Sequence, residues 1–338
     1  MNGTDNITQQ NKKSITMPNQ SQPTKQEIIS VFKELGFSDS QIEKMITARN
    51  ERTDTAIPFQ RIDIRKRYEE YRQIFAPHGI SKSRLNEILS TEIMFSFDPR
   101  QYKQLFHYIE RTGMPVADFL KITTTSGGRS VLARSPQMII RNTQAMAQLL
   151  SPFGIDEKEW LKMSLKRPSI LKQTPTHLMH NLKQMGDFVK QFDCPAKEWF
   201  CTALKHPVML DRNVETLKRK HEKMCLFLTE YGVTPKEWTQ ACLKSPQLLY
   251  LDSAYIQKRF QFFMQAYQNG EFIFTTQKEQ NASHLIRTLL NSPQYLCYSD
   301  DNLKLRQDYM DYMNRTNGQA TSAVLYLTKA KLQQIMQK

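Results

Sequence analysis

Glycine is scarce in this sequence, at 11 of 338 residues, and proline is ordinary at 15. That poverty argues against a loop-rich all-β protein and for helices. No stretch approaches the roughly 18 consecutive apolar residues of a membrane span. The five cysteines, Cys194, Cys201, Cys225, Cys242 and Cys297, are odd in number and show no C-x-x-C spacing. They fit inert buried thiols in a reducing compartment and exclude a disulfide framework. The opening segment, MNGTDNITQQNKKSITMPNQSQPTKQ, has no apolar run that would make it a Sec signal. It also lacks Arg and contains Asp5, which makes it a poor mitochondrial transit peptide. It reads as a disordered polar tail over residues 1–26. Catalytic signatures are missing as well: there is no G-x-x-x-x-G-K-[ST], G-x-G-x-x-G, H-E-x-x-H or G-x-S-x-G. The expectation is a protein that is not an enzyme and carries no cofactor and no metal. His177 and His180 lie three apart in H-L-M-H but lack the further ligands a metal needs, so they read as a surface pair. SGGRS (126–130) is too short for a phosphate loop and has no flanking strand.

What is present is a repeat. GIDEKEWLKMSLKRPSILKQ, DCPAKEWFCTALKHPVMLDR and GVTPKEWTQACLKSPQLLYL start at residues 154, 193 and 232, a period of 39. Trp160, Trp199 and Trp238 fall in register, as do Pro168, Pro207 and Pro246. Pro136 and Pro293 sit in matching contexts, and Glu92, in LSTEIMF, marks a degenerate copy. Six residues after these six positions come Asp98, Asn142, Thr174, Asn213, Asp252 and Ser299. All are preferred helix N-caps, whose side-chain oxygen satisfies a free backbone N–H. Thr234-x-x-Glu237 and Asp156-x-x-Glu159 read as capping boxes that open a first helix, with Trp160, Met163 and Leu165 along one side. The proline ends that helix and begins a short turn. Leu178, Leu182, Met185, Val189 and Phe192 then mark a second, amphipathic helix. Leu217, Met224 and Leu228, then Ile256, Phe260, Phe263 and Tyr267, repeat its face. Gly154 and Gly232 fit the left-handed residue that follows a helix.

A helix pair of this size cannot bury its apolar face alone, but stacked pairs can. The expected fold is therefore all-α, a superhelical solenoid of helical-pair repeats. GISKSRLNEILS (79–90) and GMPVADFLKI (113–122) read as earlier first helices, the latter followed by a loop, TTTSGGRSV. NGEFIFTTQKEQNAS (269–283) lengthens the last link between repeats. The expected divisions are a helical capping unit over 27–78, repeats over 79–302 and a C-terminal cap over 303–338.

Leu165–Pro168–Leu171, Leu204–Pro207–Leu210, Leu243–Pro246–Leu249 and Leu290–Pro293–Leu296 share one Leu-x-x-Pro-x-x-Leu step. With the glycine and the two helices around it, this pattern resembles the mitochondrial transcription termination factor (mTERF) family across roughly 79–310. The resemblance implies a curved helical array that binds double-stranded DNA or structured RNA along a basic inner surface. Two features depart from the family pattern. The period is longer than its usual unit, and no transit peptide is evident; both fit a non-organellar relative.

Composition points the same way, since a net charge of +14 favours polyanionic partners. Two basic columns recur at the repeat period. One, two residues before the proline, holds Arg134, Lys166, Lys205 and Lys244, and breaks at Asn291. It suits phosphate contact, but also the last helical turn, where a cation complements the macrodipole. The other holds Lys158, Lys197 and Lys236, in the first turn, where the dipole disfavours a cation. Arg167 adjoins the first column. Lys218, Arg219 and Lys220, within LKRKHEK, form a denser cluster, and RIDIRKRYEEYR (61–72) another; both read equally as solvated helix faces. The tryptophans lie on the apolar face and read as core, not as base-stacking platforms. Two functions remain open. One is a monomeric, cytoplasmic solenoid that binds DNA or RNA and regulates gene expression. The other is a solenoid that binds a protein partner, as an effector secreted into a host cell would. Neither involves a membrane.

Overall fold

The structure is a computed structural model that describes residues 23–50, 59–91, 94–273, 281–316 and 318–337. It divides into two compact units, Met1–Lys103 and Gln104–Lys338.

In the first unit, α1 (Lys25–Glu34) opens within the span expected as tail. Thr24 and Glu27 form a reciprocal capping box there; residues 1–22 lie outside the described residues. Then follow α2 (Asp39–Asn50), α3 (Ile64–Phe75) and α4 (Lys82–Leu89). Ser81 caps α4, as the reading of 79–90 requires. α1 packs on α2 and α3, and α3 on α4. The core is a nest of buried rings in which Phe37, Phe59 and Phe95 meet Phe32 edge-on at 5.1–5.5 Å. Glu92 lies outside the described residues. Asp98, its expected cap six residues on, accepts from the Arg100 N–H at 2.9 Å and starts α5 (Pro99–Arg111). The boundary between the two units falls within α5.

The second unit continues with α6 (Val116–Phe119), α7 (Ser126–Leu132), α8 (Pro136–Leu150), α9 (Glu157–Lys166) and α10 (Pro175–Lys190). Next come α11 (Ala196–Lys205), α12 (Val214–Thr229), α13 (Pro235–Lys244), α14 (Gln247–Tyr250) and α15 (Ser253–Gln268). The last are α16 (Ala282–Asn291), α17 (Asp300–Arg315), α18 (Ala323–Tyr326) and α19 (Lys329–Met336). The expected pair is plain from α9 onward. α9, α11, α13 and α16 are first helices, α10, α12, α15 and α17 second helices. One tight turn at the proline joins each pair: Pro168–Lys172, Pro207–Met209, α14, and Pro293–Cys297. Thr174, Asn213, Asp252 and Ser299 all accept cap hydrogen bonds. Neighbouring pairs stack, α10 on α8, α11 and α12, and α13 on α11 and α16. This is an all-α solenoid of stacked helical pairs.

Trp160, Trp199 and Trp238 are each 1% exposed, at the heart of their repeats. At 150–250 Å² and about 25 cal/mol per Å², each contributes roughly 4–6 kcal/mol of burial. Gly154 and Gly232 are left-handed (φ +73° and +72°). The middle copy holds Asp193 at that corner, the one described non-glycine residue with positive φ, at +57°.

A further column binds each repeat to the next. Asn142 donates to the Gln173 carbonyl (3.0 Å), Asn181 to Leu210 (3.3 Å), and Lys220 to Tyr250 and Leu251 (2.8 and 3.0 Å). Arg259 Nε donates to Tyr298 (2.9 Å) and Arg306 to Leu327 (3.0 Å). These residues stand 39, 39, 39 and 47 apart. Each second helix thus satisfies turn carbonyls of the following repeat, groups that would otherwise be costly to bury.

Several expectations are corrected. Asn142 is not a cap: Pro136 occupies N1 of α8, so turn and second helix are fused there, freeing Asn142 for its cross-repeat bond. Residues 113–122 yield only the four-residue α6 before a tight turn, Leu120–Thr124. TTTSGGRSV is not a loop, because Thr125 caps α7 within it. α7 presses on that turn so closely that a Cβ on Gly128 would fall 1.8 Å from the Ile122 carbonyl oxygen. Met163 and Leu165 are half-buried; Trp160, Leu161 and Ser164 form the core face of α9. Asp156 caps its helix, but Glu159 turns to Lys162 (2.6 Å) instead of closing the box. The link 269–283 contains β1 (Phe272–Ile273), paired in parallel with β2 (Ala320–Thr321). Cys201 is exposed, unlike the buried Cys194 and Cys242.

Candidate nucleic-acid interface

The first basic column lies where each first helix, or α7, gives way to the turn. Arg134, Lys166, Lys205 and Lys244 are all exposed, and none has an ion-pair partner among the described residues. Stacking brings neighbouring members together. α9 packs on the turn Pro207–Met209, and both Lys166 and Lys205 act electrostatically on His206. Partial burial, then these two charges, hold the imidazole below its usual range. At the far end Lys244 Nζ donates to Asn291 Oδ1 at 2.9 Å, so the residue that breaks the column is the contact of its neighbour.

The second column has a structural account. Lys158 lies over Gly113, where an added Cβ would stand 3.3 Å from its Nζ, and Lys236 pairs with Asp193 at 3.7 Å. Both reach back to the corner that opens the preceding repeat, just past the C-terminal end of α5 or α10, where carbonyls attract a cation. Lys197 is exposed.

The remaining candidates divide. Arg167 Nε donates to both oxygens of Asp211 (3.2 and 3.0 Å), a carboxylate only 5% exposed that also accepts from Ser169 Oγ. Lys218 pairs with Glu215 at 2.9 Å and lies 5.9 Å from the Phe188 ring centroid. Lys220 is committed to the carbonyls of Tyr250 and Leu251, leaving Arg219 as the exposed member of its cluster. In RIDIRKRYEEYR, Arg65 pairs with Glu34 and Arg72 with Glu69. His177 and His180 are both exposed.

The family model for mTERF matches residues 6–329. The chain belongs to the mTERF family. The mTERF match is wider than the span of the Leu-x-x-Pro-x-x-Leu steps and takes in the first unit. Membership implies a nucleic-acid-binding helical repeat protein. No curated protein matches the chain in sequence. Among the described residues of this mTERF protein, no group of three or more His, Cys, Asp and Glu side chains could hold a metal ion. None of its described helices is long and apolar enough to cross a membrane.

Two features of the mTERF array escape a search by residue type. The cross-repeat column changes from Asn to Lys to Arg, and its signal is a polar residue recurring at the period on an otherwise apolar helix. His206 follows Lys205, where the other copies carry Ser135, Arg167, Ser245 and Ser292.

Proposed function

We propose that this protein holds the sugar–phosphate backbone of DNA or RNA with Arg134, Lys166, Lys205 and Lys244, without catalysis, and thereby regulates gene expression. The observation that carries the reading is the exposed column itself. Like charges set side by side repel one another, and a polyanion relieves that repulsion while releasing its own counterions. Lys197 and Arg219, also exposed, extend the basic surface; Lys158, Arg167, Lys218, Lys220 and Lys236 contribute first to holding the fold. A protein-binding solenoid would favour an exposed apolar groove. The exposed large apolar side chains among the described residues are Leu149 and Phe153, four residues apart, and Leu226 and Tyr326, each in its own stretch of chain.

The test is binding of labelled duplex DNA and of structured RNA across a salt series. On duplex, each phosphate contact contributes about 0.9 to the slope of log K against log salt. Replacing Lys166, Lys205 and Lys244 together by Gln should therefore reduce the slope by about 2.7. If neither nucleic acid binds above background at low salt, the proposal is wrong.

A further inference from the structure

We infer that Lys166, Arg167, Lys205 and His206 form one phosphate seat at the junction of α9 and α11, at which His206 takes up a proton as the nucleic-acid phosphate docks. This rests on the nucleic-acid reading and names the place where the array grips its ligand most specifically.

Three features set this junction apart from the other steps of the column. The corresponding pairs are Arg134–Ser135, Lys244–Ser245 and Asn291–Ser292. Only at α9 and α11 are two basic residues consecutive in both of two adjacent repeats. Stacking brings the two pairs together, since α9 packs on the turn that His206 opens. Arg167 is also built in. Asp211, nearly buried and braced by Ser169, takes the Arg167 Nε, while the arginine side chain stays 36% exposed. Nε is thereby occupied, and the Nη1 and Nη2 groups remain to serve a phosphate through two parallel bonds. Lastly, the junction has an excess of positive charge. The helices that pack chiefly on the turn Pro207–Met209 are α9 and α11. Of their charged side chains Lys166 and Lys205 act on the imidazole, and no carboxylate does. Asp211 is taken up by Arg167 and Ser169.

The consequence is a linkage. In the free protein, partial burial and then the two lysines hold the imidazole below its usual range and favour its neutral form. A phosphate set among the same lysines supplies the missing negative charge and raises the proton affinity of the ring. Binding then consumes a proton, and affinity rises as pH falls through the bound-state value. Each unit by which the phosphate raises the imidazole pKa is worth about tenfold in affinity at low pH.

The experiment uses the full chain, a labelled DNA duplex at fixed low salt, and calorimetry in two buffers of different ionisation enthalpy. Wild type should bind about tenfold tighter near pH 6 than near pH 8 and take up a proton in that interval. His206→Gln should lose both the pH dependence and most of the proton uptake, and should bind more weakly than wild type near pH 6. Because His206 is exposed, this substitution leaves the core intact, which the unfolding midpoint verifies. If His206→Gln keeps the wild-type pH dependence, the seat is overturned while nucleic-acid binding stands. If wild type binds at neither pH, the nucleic-acid reading fails and the seat fails with it.

Discussion

His221 shows how one buried residue makes stability depend on pH. It occupies the column that holds Leu182 and Phe260 in the flanking repeats, and it is 2% exposed. Its ring packs on Phe188 and Phe192, and Nε2 meets Thr239 Oγ1 at 2.8 Å. Burial pushes its pKa down to about 4 from an ordinary 6.5. The folded state therefore prefers neutral imidazole. The stability this brings is complete above pH 6.5 and is lost as pH falls towards 4. Near pH 5 the loss should be about 2 kcal/mol. His221→Leu should flatten the urea midpoint between pH 7 and 5, and Thr239 remains satisfied by donating to the Pro235 carbonyl at 2.7 Å. Asp193 gives a second residue-scale prediction. It holds a left-handed conformation that its counterparts Gly154 and Gly232 adopt freely. Asp193→Gly should raise unfolding free energy by about 1 kcal/mol, less the small contribution of its exposed pair with Lys236, and Gly232→Ala should lower it by a similar amount.

At the scale of the element, the cross-repeat column does the work of keeping pairs in register. Arg259 is 1% exposed, lies 3.2 Å from the Tyr255 ring centroid, bonds the Tyr298 carbonyl and reaches Asp300 at 2.7 Å. Arg259→Met keeps the length of the side chain but removes its charged bonds to that carbonyl and to Asp300, leaving the carbonyl only the Tyr255 hydroxyl at 2.6 Å, and should cost about 2–3 kcal/mol. Asn181→Leu removes the neutral bond to Leu210 and a contact with His177 Nε2, both at 3.3 Å, and should cost about 1–2 kcal/mol. Because these bonds join repeats, a fall in the urea m-value alongside the midpoint would report lost cooperativity between neighbours. The same scale shows what the sequence made legible. Period, caps and proline breaks placed α9 to α17, because each is written in residue types with one local meaning. The fused α8 was hidden because Pro136 looks the same whether it opens a turn or a helix. α7 was hidden because Gly127 and Gly128 look like loop residues, yet Gly128 is there for close packing. The β1–β2 pair was hidden because its partners lie 48 residues apart and are two residues long. Of the candidate site, the exposed column could be placed by counting. The commitment of Lys220, Arg167 and Lys236 to internal partners could not, since it depends on which repeat each side chain reaches.

For the whole molecule, the proposed function is a matter of summed charge. With a net charge of +14, some affinity for polyanions is expected of any surface on this protein. Position distinguishes a binding column from a general excess. Replacing the column residues Lys166, Lys205 and Lys244 by Gln should change the salt slope. The same replacement of Lys25, Lys44 and Lys329, three lysines that are not members of the column, should leave it nearly unchanged, as measured by fluorescence anisotropy. The solenoid also has a mechanical consequence. In the second unit the main contacts of each helical pair are with the pairs before and after it. Pulled from its ends, such a stack has no long-range tie to break all at once and should yield link by link. The three 39-residue copies would then give steps of similar height, each releasing roughly 130–140 Å of chain, a sawtooth that an optical trap could count.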